Sequence, residues 1–586
     1  MIYEKAMRIL YIDMESEKIR LETREDLHQY LGGCGLGAKL LEENMKPRLP
    51  PLDPAQPIVL AIGPLSTIFP VMTKVAAVFI SPLTGEYGES YAAGRLAMSM
   101  FLSGFDAIVI TGKAKRPSYL SISSRDVQIK DARTIWGNNK GSIGRVIRNE
   151  HRKFGGKRSI IRIGTGGENL VSYACVIVDR YRHFGRLGLG ALFGSKMLKA
   201  ISIVGDRTMP VKNFKQYFKV YRELHKKCTE SDLMQKYHDI GTPINVLPLN
   251  EIGALPTRNM RQNRFEHADK VSGEVFANDY LIRKLTCVGC PVGCIHIAQL
   301  RREFADHGYE YEALSIGYDF ELIFALGIFL GLKDPKEILE LIEEVEIVGL
   351  DSMSTGVVLG WATDALEEGI ITENETLTPL KFGELSGYLK AVGCIASAKN
   401  EFYQHLGKGV RHAAGIYGGK DYAMQIAGNE MAGYHTGYGA LAGAAVGSRH
   451  SHLCNGGYSI DQGLKDADVD PEKFAASLLK EELERCMLNS LVMCLFARKI
   501  YDRKIILEAL ESVGFEMTDE DLTESSRQIY AVKLRIKKAL GFDLENVKLP
   551  KRFFKTPSIH GNIDENTTYE IIRKYKEKLS QVEPTL

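Results

Sequence analysis

The rhythm of apolar and polar positions changes near residue 208. Before it, short β-rich runs recur between turn residues: Ile9–Asp13, Ile58–Ile62, Ala76–Ile80, Ala107–Thr111, Tyr119–Ser123, Ser159–Ile163 and Ile201–Val204. Helices are predicted between them, one after Gly32-Gly-Cys-Gly-Leu-Gly37 and another over Ala191–Leu198. Beyond residue 208 helical spacing takes over, as in Phe214–Lys227, Pro335–Val348, Pro471–Leu488 and Thr518–Leu540. The predicted fold class is α+β. A β-rich N-terminal domain (1–208) precedes two mainly α-helical domains, 209–415 and 416–586. At 586 residues the chain is too long for one core. No repeat is visible, and no low-complexity linker marks the boundary at 415.

Composition narrows the class without naming a function. Apolar residues make up 45%, charged residues 25%, and the net charge is +2, which gives no reason to invoke nucleic acid or an anionic membrane. The N-terminus lacks the apolar run of a signal peptide. The longest apolar segment, Leu322–Leu332, has eleven residues and is too short to span a bilayer. A cytoplasmic location is expected. Glycine is the outlier at 56 residues, much of it in loops suited to close backbone approach. Two such loops, Gly164-Thr-Gly-Gly167 and Gly185-Arg-Leu-Gly-Leu-Gly190, lie near strands. Neither has the spacing of a dinucleotide-binding turn, so turn chemistry or a Rossmann site is all they suggest alone.

Candidate chemistry starts at Cys287-Val-Gly-Cys-Pro-Val-Gly-Cys294, where three thiols fall within eight residues. A Gly/Pro turn can aim all three sulfurs at one point, which a strand or regular helix cannot. Ten cysteines in a long chain without a signal peptide point to reduced thiols and metal rather than disulfides. The spacing fits an iron–sulfur cluster; zinc is the alternative, but no second CxxC is present and His296 sits too near Cys294 to complete a zinc ribbon. Either way, a fourth ligand must come from far along the chain.

Taken together, the islands resemble the aldehyde:ferredoxin oxidoreductase family of tungsten enzymes almost end to end. They are Gly32–Leu41, Gly63-Pro-Leu65, Ser81-Pro-Leu-Thr-Gly85, Gly104–Ile110, Gly166-Gly-Glu-Asn169, Gly185-Arg186, Gly194–Ile201, the Cys287 cluster and Leu549-Pro-Lys-Arg-Phe553. Their order and spacing carry the resemblance. It implies tungsten (or molybdenum) held by two pterin dithiolenes, with a 4Fe–4S cluster beside one pterin. The N-terminal domain would form the pterin bed and the helical domains its cover. Cluster ligands would be Cys287, Cys290, Cys294 and, from Asn489-Ser-Leu-Val-Met-Cys494, Cys494, with Cys486 as the structural alternative. The family motif Asp-x-x-Gly-Leu-Asp appears as Glu346-Ile-Val-Gly-Leu-Asp351, placing Glu346, Leu350 and Asp351 at one pterin. Asn489 and Met493 would serve the other. Departures are Glu346 and Asn489 for Asp, and Val492-Met493 for Gly-Leu. Arg182-His183-Phe184-Gly185-Arg186 matches the family's phosphate loop, where a guanidinium can grip phosphate and magnesium bridges the pterin phosphates. Lys74 stands where the family tends to carry Arg, and Tyr91 where a small amide is expected.

The same resemblance implies oxidation of an aldehyde by water, with electrons leaving through the cluster to ferredoxin or another carrier. Glu321 aligns with the family's active-site Glu, and Glu312 is the competing register. In Gly447-Ser-Arg-His-Ser-His452, His452 is the preferred carbonyl donor, His450 the runner-up, and Arg449 would face pterin. Some members bridge a homodimer with iron held by a helical Glu-x-x-His. Here the helix reads Glu340-Leu-Ile-Glu343, so that iron is not expected, although a homodimer or additional iron–sulfur subunits remain open. Two other readings compete: the tungsten subunit of a benzoyl-CoA reductase-type complex, and a pterin-less iron–sulfur or zinc assembly protein.

Overall fold

The computed structural model describes residues 6–139, 142–150, 157–208, 211, 213–303, 311–464, 469–580 and 582. The N-terminal part packs two six-stranded sheets face to face. The first comprises β1 (Met7–Asp13), β2 (Ile19–Arg24), β3 (Ile58–Ala61), β4 (Val75–Ile80), β5 (Tyr87–Ala92) and β6 (Ala107–Thr111), in the order β2-β1-β6-β3-β4-β5. The second comprises β7 (Ser118–Ser123), β8 (Val127–Asp131), β9 (Lys157–Arg162), β10 (Val176–Val178), β11 (Arg182–Phe184) and β12 (Leu198–Gly205), in the order β11-β10-β9-β12-β7-β8. Pairing is antiparallel except for β1 with β6 and β12 with β7.

Alternation along the strands feeds two cores. Leu10, Leu60, Ala77, Phe79 and Ile108 of the first sheet meet Leu120, Ile122, Ile161 and Ile201 of the second. Ile9, Val59, Val78 and Val109 point the other way, onto the helix Gly33–Asn44 and the helical part of the chain. Burial on both faces is why these strands read as continuous apolar runs. The helix expected over Ala191–Leu198 ends at Ser195, and Leu198 already opens β12.

The C-terminal part is mainly helical, with the long elements Phe214–Glu230, Pro335–Val348, Ser352–Glu367, Pro471–Ser490 and Asp519–Ala539. Their starts are chemically marked. Asp334 and Asp470 cap helices that carry Pro in the first turn, and Thr518 forms a capping box with Asp521. Within this mainly helical part lie a short two-stranded sheet, Gln425–Ile426 with Asn429–Glu430, and a three-stranded sheet of β13 (Leu281–Leu285), β14 (Ile295–Glu303) and β15 (Tyr311–Tyr318). The three-stranded sheet holds the cysteine loop between β13 and β14 and delivers the chain from β15 into the helix Phe320–Leu326. Among the described residues no helix is long and apolar enough to cross a membrane.

Candidate functional site

The cysteine loop docks on the N-terminal part at the edge where β5 and β11 meet. Val288 N–H donates to Gly94 O at 2.9 Å, and Cys494 N–H donates to Val71 O at 3.0 Å. The loop turns through left-handed Gly289 (φ 80°) and Gly293 (φ 68°), conformations that a Cβ would disfavour. Cys287, Cys290, Cys294 and Cys494 share one electrostatic neighbourhood. Burial pushes the Cys290 and Cys294 thiols up, Cys294 to about 11, and each is raised further by Cys287 and Cys494. Such thiols stay protonated until a cation takes the proton's place. Among the described residues no three His, Cys, Asp or Glu side chains close to single-ion range.

Beside the thiols lies a bed of unpartnered polar nitrogens. Arg182 Nε, His183 Nε2 and His452 Nδ1 are buried nitrogens without a hydrogen-bond partner. A buried polar atom left without a partner costs about 1–3 kcal/mol, so three around one region call for a polar occupant. Arg182 is a guanidinium and stays cationic though buried, and Cys287, Cys294 and Asp319 stand near it, where their ionised forms would favour its charge. Burial, with Arg162 and Arg182 adjacent, holds His183 down to about 4. A Cβ at Gly185 would meet nothing within 4 Å, so open space adjoins the backbone there. Arg182 therefore sits with the cluster thiols as well as with the expected phosphate loop.

Glu346 and Asp351 flank the same bed. His183 Nε2 lies 4.0 Å from Glu346 Oε1. Burial, then Glu343 and Asp319, push Glu346 well above the ordinary carboxylate range, which favours the neutral acid, a form that can donate as well as accept. Leu350 bridges Ala174, and Asp351 N–H donates to Tyr173 O at 3.0 Å. The Asp351 carboxylate caps the next helix through Met353 N–H and Ser354 N–H and takes Arg186 Nε at 3.3 Å. Most of its capacity is used within the protein.

On the β5 side, Arg449 donates to Glu89 O at 2.8 Å and lies 5.2 Å from the Tyr91 ring centre. Lys533 meets Glu89 Oε2 at 2.8 Å. Lys74 stands half-buried immediately before β4, and Asn489 and Met493 are buried at the end of the helix Pro471–Ser490.

Glu321 and His452 come together, 131 positions apart in sequence. His452 Nε2 is 4.0 Å from Glu321 Oε1. Tyr434 donates its hydroxyl to Glu321 Oε1 at 2.9 Å, and its ring lies 4.8 Å from that of His452 and 4.9 Å from that of Tyr458. Asp319 caps the helix Phe320–Leu326 and aims Glu321 from its first turn. Burial, then the Asp319 charge, push Glu321 up to about 7. Burial, then Arg186, Arg449 and Arg485, push His452 well below its usual value, so its ring is neutral. Glu312 is placed elsewhere, on β15, paired with Arg302. His450 is bound to Glu86 and Lys537. Tyr434 carried no sequence signal: it lies in no recognisable motif, and only the fold brings it to Glu321.

Models of the aldehyde ferredoxin oxidoreductase family match the chain over residues 9–205, the N-terminal domain, and 219–581, domains 2 and 3. The tungsten-containing aldehyde ferredoxin oxidoreductase of Pyrococcus furiosus is 30% identical over 589 residues, covering 96% of this chain and 93% of its own. That of Thermococcus kodakarensis is also 30% identical, over 585 residues with the same coverage. The WOR-like subunit of the Pyrococcus furiosus aliphatic sulfonate oxidoreductase is 28% identical over 538 residues, or 89% of this chain and 84% of its own. Among solved structures, the active-site complex of benzoyl-coenzyme A reductase with 1,5-dienoyl-CoA shares the fold, with a TM-score of 0.83 at 18% identity over 99% of this chain and 97% of that one.

Proposed function

The chain belongs to the aldehyde ferredoxin oxidoreductase family, and on that basis we propose that it is a tungsten-dependent enzyme oxidising an aldehyde to a carboxylic acid with water. Electrons would leave through a 4Fe–4S cluster to ferredoxin. The observation that carries this reading is the Glu321–His452–Tyr434 assembly set beside the unpartnered nitrogens of the bed. Cys287, Cys290, Cys294 and Cys494 would hold the cluster. Arg182, His183, Gly185, Glu346, Asp351, Arg449 and the backbone around Asn489 and Met493 would hold the pterins, with magnesium between their phosphates. Bound there, the tungsten–pterin group would supply a two-electron acceptor.

The protein's own groups do the rest. Glu321, ionising near pH 7, can take a proton from the attacking water, and Tyr434, donating to Glu321 Oε1, steadies and aims the carboxylate before the transfer. His452 is neutral and carries one ring proton. Its Nδ1 has no protein partner and is free to donate to a carbonyl oxygen, polarising the carbon for attack. The apolar residues behind Glu321, Ile323 to Leu326, exclude bulk water from that side.

The test is anaerobic aldehyde oxidation coupled to a viologen dye. Protein loaded with tungsten and iron should reduce the dye with at least one aldehyde of a size series, and Glu312→Gln should retain the rate. Loaded protein that oxidises no aldehyde but reduces an aromatic thioester with partner subunits would replace this reading with the reductase one.

A further inference from the structure

The helix Phe214–Glu230 lies near the cysteines and turns an aromatic, cationic face to solvent. Its inner face is Val220, Leu224 and Cys228, all buried. Its outer face carries two rings, Phe214 at 66% and Phe218 at 48% exposure, stacked 6.0 Å apart. Three cations flank them. Lys215, Lys219 and Arg222 are exposed, and the Arg222 guanidinium lies 5.7 Å from the Phe218 ring centre. From Phe214 to Arg222 the helix holds no carboxylate. Farther along, Glu223 is spent on Lys227 at 3.2 Å and Glu230 on Lys226 at 3.8 Å. Packed neighbours add Glu511, which accepts from Gln216 at 2.8 Å, and Asp502, 3.8 Å from Lys227.

One short segment ties this helix to the cysteines. Tyr217 donates its hydroxyl to Ile68 O at 3.2 Å, Tyr501 donates to Pro70 O at 2.6 Å, and Cys494 N–H donates to Val71 O at 3.0 Å. Residues 68 and 71 are three steps apart, no more than about 11 Å along the chain. The tip of the cysteine loop rests on the same segment, where a Cβ on Gly289 would meet Thr67 O at 3.6 Å. Tyr501 is buried behind it, its hydroxyl pushed up by burial and then by Cys228, Cys290 and Tyr221. Helix and cysteine loop thus converge on one ring. Other rings lead outward, Phe69 to Tyr217 at 5.3 Å and Tyr217 to Phe214 at 6.1 Å.

We propose that the outer face of this helix, Phe214, Lys215, Phe218, Lys219 and Arg222, is where the electron carrier docks, and that the carrier is a small acidic iron–sulfur protein. It rests on the reading of the four cysteines as cluster ligands. Charge selects the occupant. Three uncompensated cations attract a carboxylate-rich surface and speed the encounter at low salt. The two rings among them give the dry central contact that holds a complex together. A second copy of this chain is the poorer occupant, because a two-fold contact would set the same three cations against themselves. One electron crosses per encounter, lost on this side and gained by the carrier's iron, so one aldehyde oxidised reduces two carriers.

Two measurements test this, both with an oxidised bacterial-type two-cluster ferredoxin as the probe. The first needs no turnover. Carbodiimide coupling at low salt, with the joined peptides read by mass spectrometry, should link ferredoxin carboxylates to Lys215 and Lys219. Coupling that falls mainly on other lysines overturns the site, as do links from these two lysines to a second copy of this chain. The second compares two electron acceptors on the holoenzyme. The triple variant Lys215→Glu, Lys219→Glu, Arg222→Glu should raise the KM for ferredoxin at least about tenfold and remove its dependence on salt. Dye-linked turnover, which needs no dock, and iron content should stay unchanged. An unchanged KM for ferredoxin, or an equal loss with the dye, overturns the docking face. Should wild-type holoenzyme oxidise no aldehyde, the functional reading fails, and the coupling measurement still judges the dock.

Discussion

Two helices of this protein end by the same backbone device and present different chemistry beyond it. After Pro335–Val348, Gly349 turns left-handed (φ 75°) and Leu350 N–H returns to Val345 O at 3.1 Å. After Pro471–Ser490, Val492 turns left-handed (φ 55°) and Met493 N–H returns to Leu488 O at 3.0 Å. Both are Schellman-like closures, which spend orphan carbonyls and fix the direction of the next residue. That next residue is Asp351 at the first end, a helix cap bound to Arg186, and Cys494 at the second, facing the other three thiols.

The difference lies in where the glycine sits. At Gly349 a Cβ would come within 2.9 Å of Gly164 N, so the turning residue must be glycine. At the second end the turning residue has a side chain and its neighbour across the contact has none: a Cβ on Gly33 would meet Val492 Cγ1 at 2.8 Å and Asn489 O at 2.4 Å. Close approach is kept because the opposing segment carries glycine at position 33. The bulk of Val492 therefore packs onto the helix Gly33–Asn44, which makes room for valine where the family motif carries glycine. A β-branched residue held left-handed still stores roughly 1–2 kcal/mol.

If the two ends have separate duties, Cys494→Ser should remove the iron chromophore and most of the bound iron. Asp351→Ala should leave iron in place and lower stability by about 1–2 kcal/mol through the lost helix cap. Iron retained by the first variant, read by visible absorbance and iron assay, would show that the second end is not a ligand.

Between the two ends, Glu321→Gln should cut turnover at least about a hundredfold with metal content unchanged. The pH profile follows from the raised acidity constant. The carboxyl is protonated below about 7 and cannot act as a base there, so the wild-type rate should climb through that region and level off above it. A rate already flat from pH 5 upward would mean that Glu321 is not the base. Linkage has the opposite sign: the folded state binds this proton more tightly than the unfolded chain. The stability it confers is full below the unfolded value near 4.3 and is lost as pH rises through about 7.

Smaller effects are expected at the turning residues themselves. Gly349→Ala should destabilise by at least about 1–2 kcal/mol, from left-handed strain and the contact with Gly164. Val492→Gly should change stability by about 1 kcal/mol or less, because relief of strain offsets most of the lost burial of one valine, about 2 kcal/mol. Equal responses from the two sites in denaturant melts would undo the contrast drawn between them.

What was legible in the sequence follows the physics of each element. Apolar strands buried on both faces and long capped helices announced themselves. Strand β5 did not: Tyr87, Glu89 and Tyr91 break its apolar run, and their partners Lys533 and Arg449 lie more than 350 residues away. The sheet β13–β15 was hidden within a stretch dominated by helical spacing, although it presents the cysteine loop and leads into Glu321. The three clustered cysteines were visible because the loop is local. The Glu321–Tyr434 bond and the Glu86–His450–Lys537 contact were not, since both depend on long-range contacts that leave no periodic trace.

The most direct measurement is metal, phosphorus and pterin analysis of anaerobically purified protein. The account predicts about one tungsten (or molybdenum) and four iron atoms per chain, with pterin phosphorus and little zinc. Zinc alone, without iron, would contradict the cluster on which the site is built; iron without tungsten, molybdenum or pterin would contradict the occupied bed.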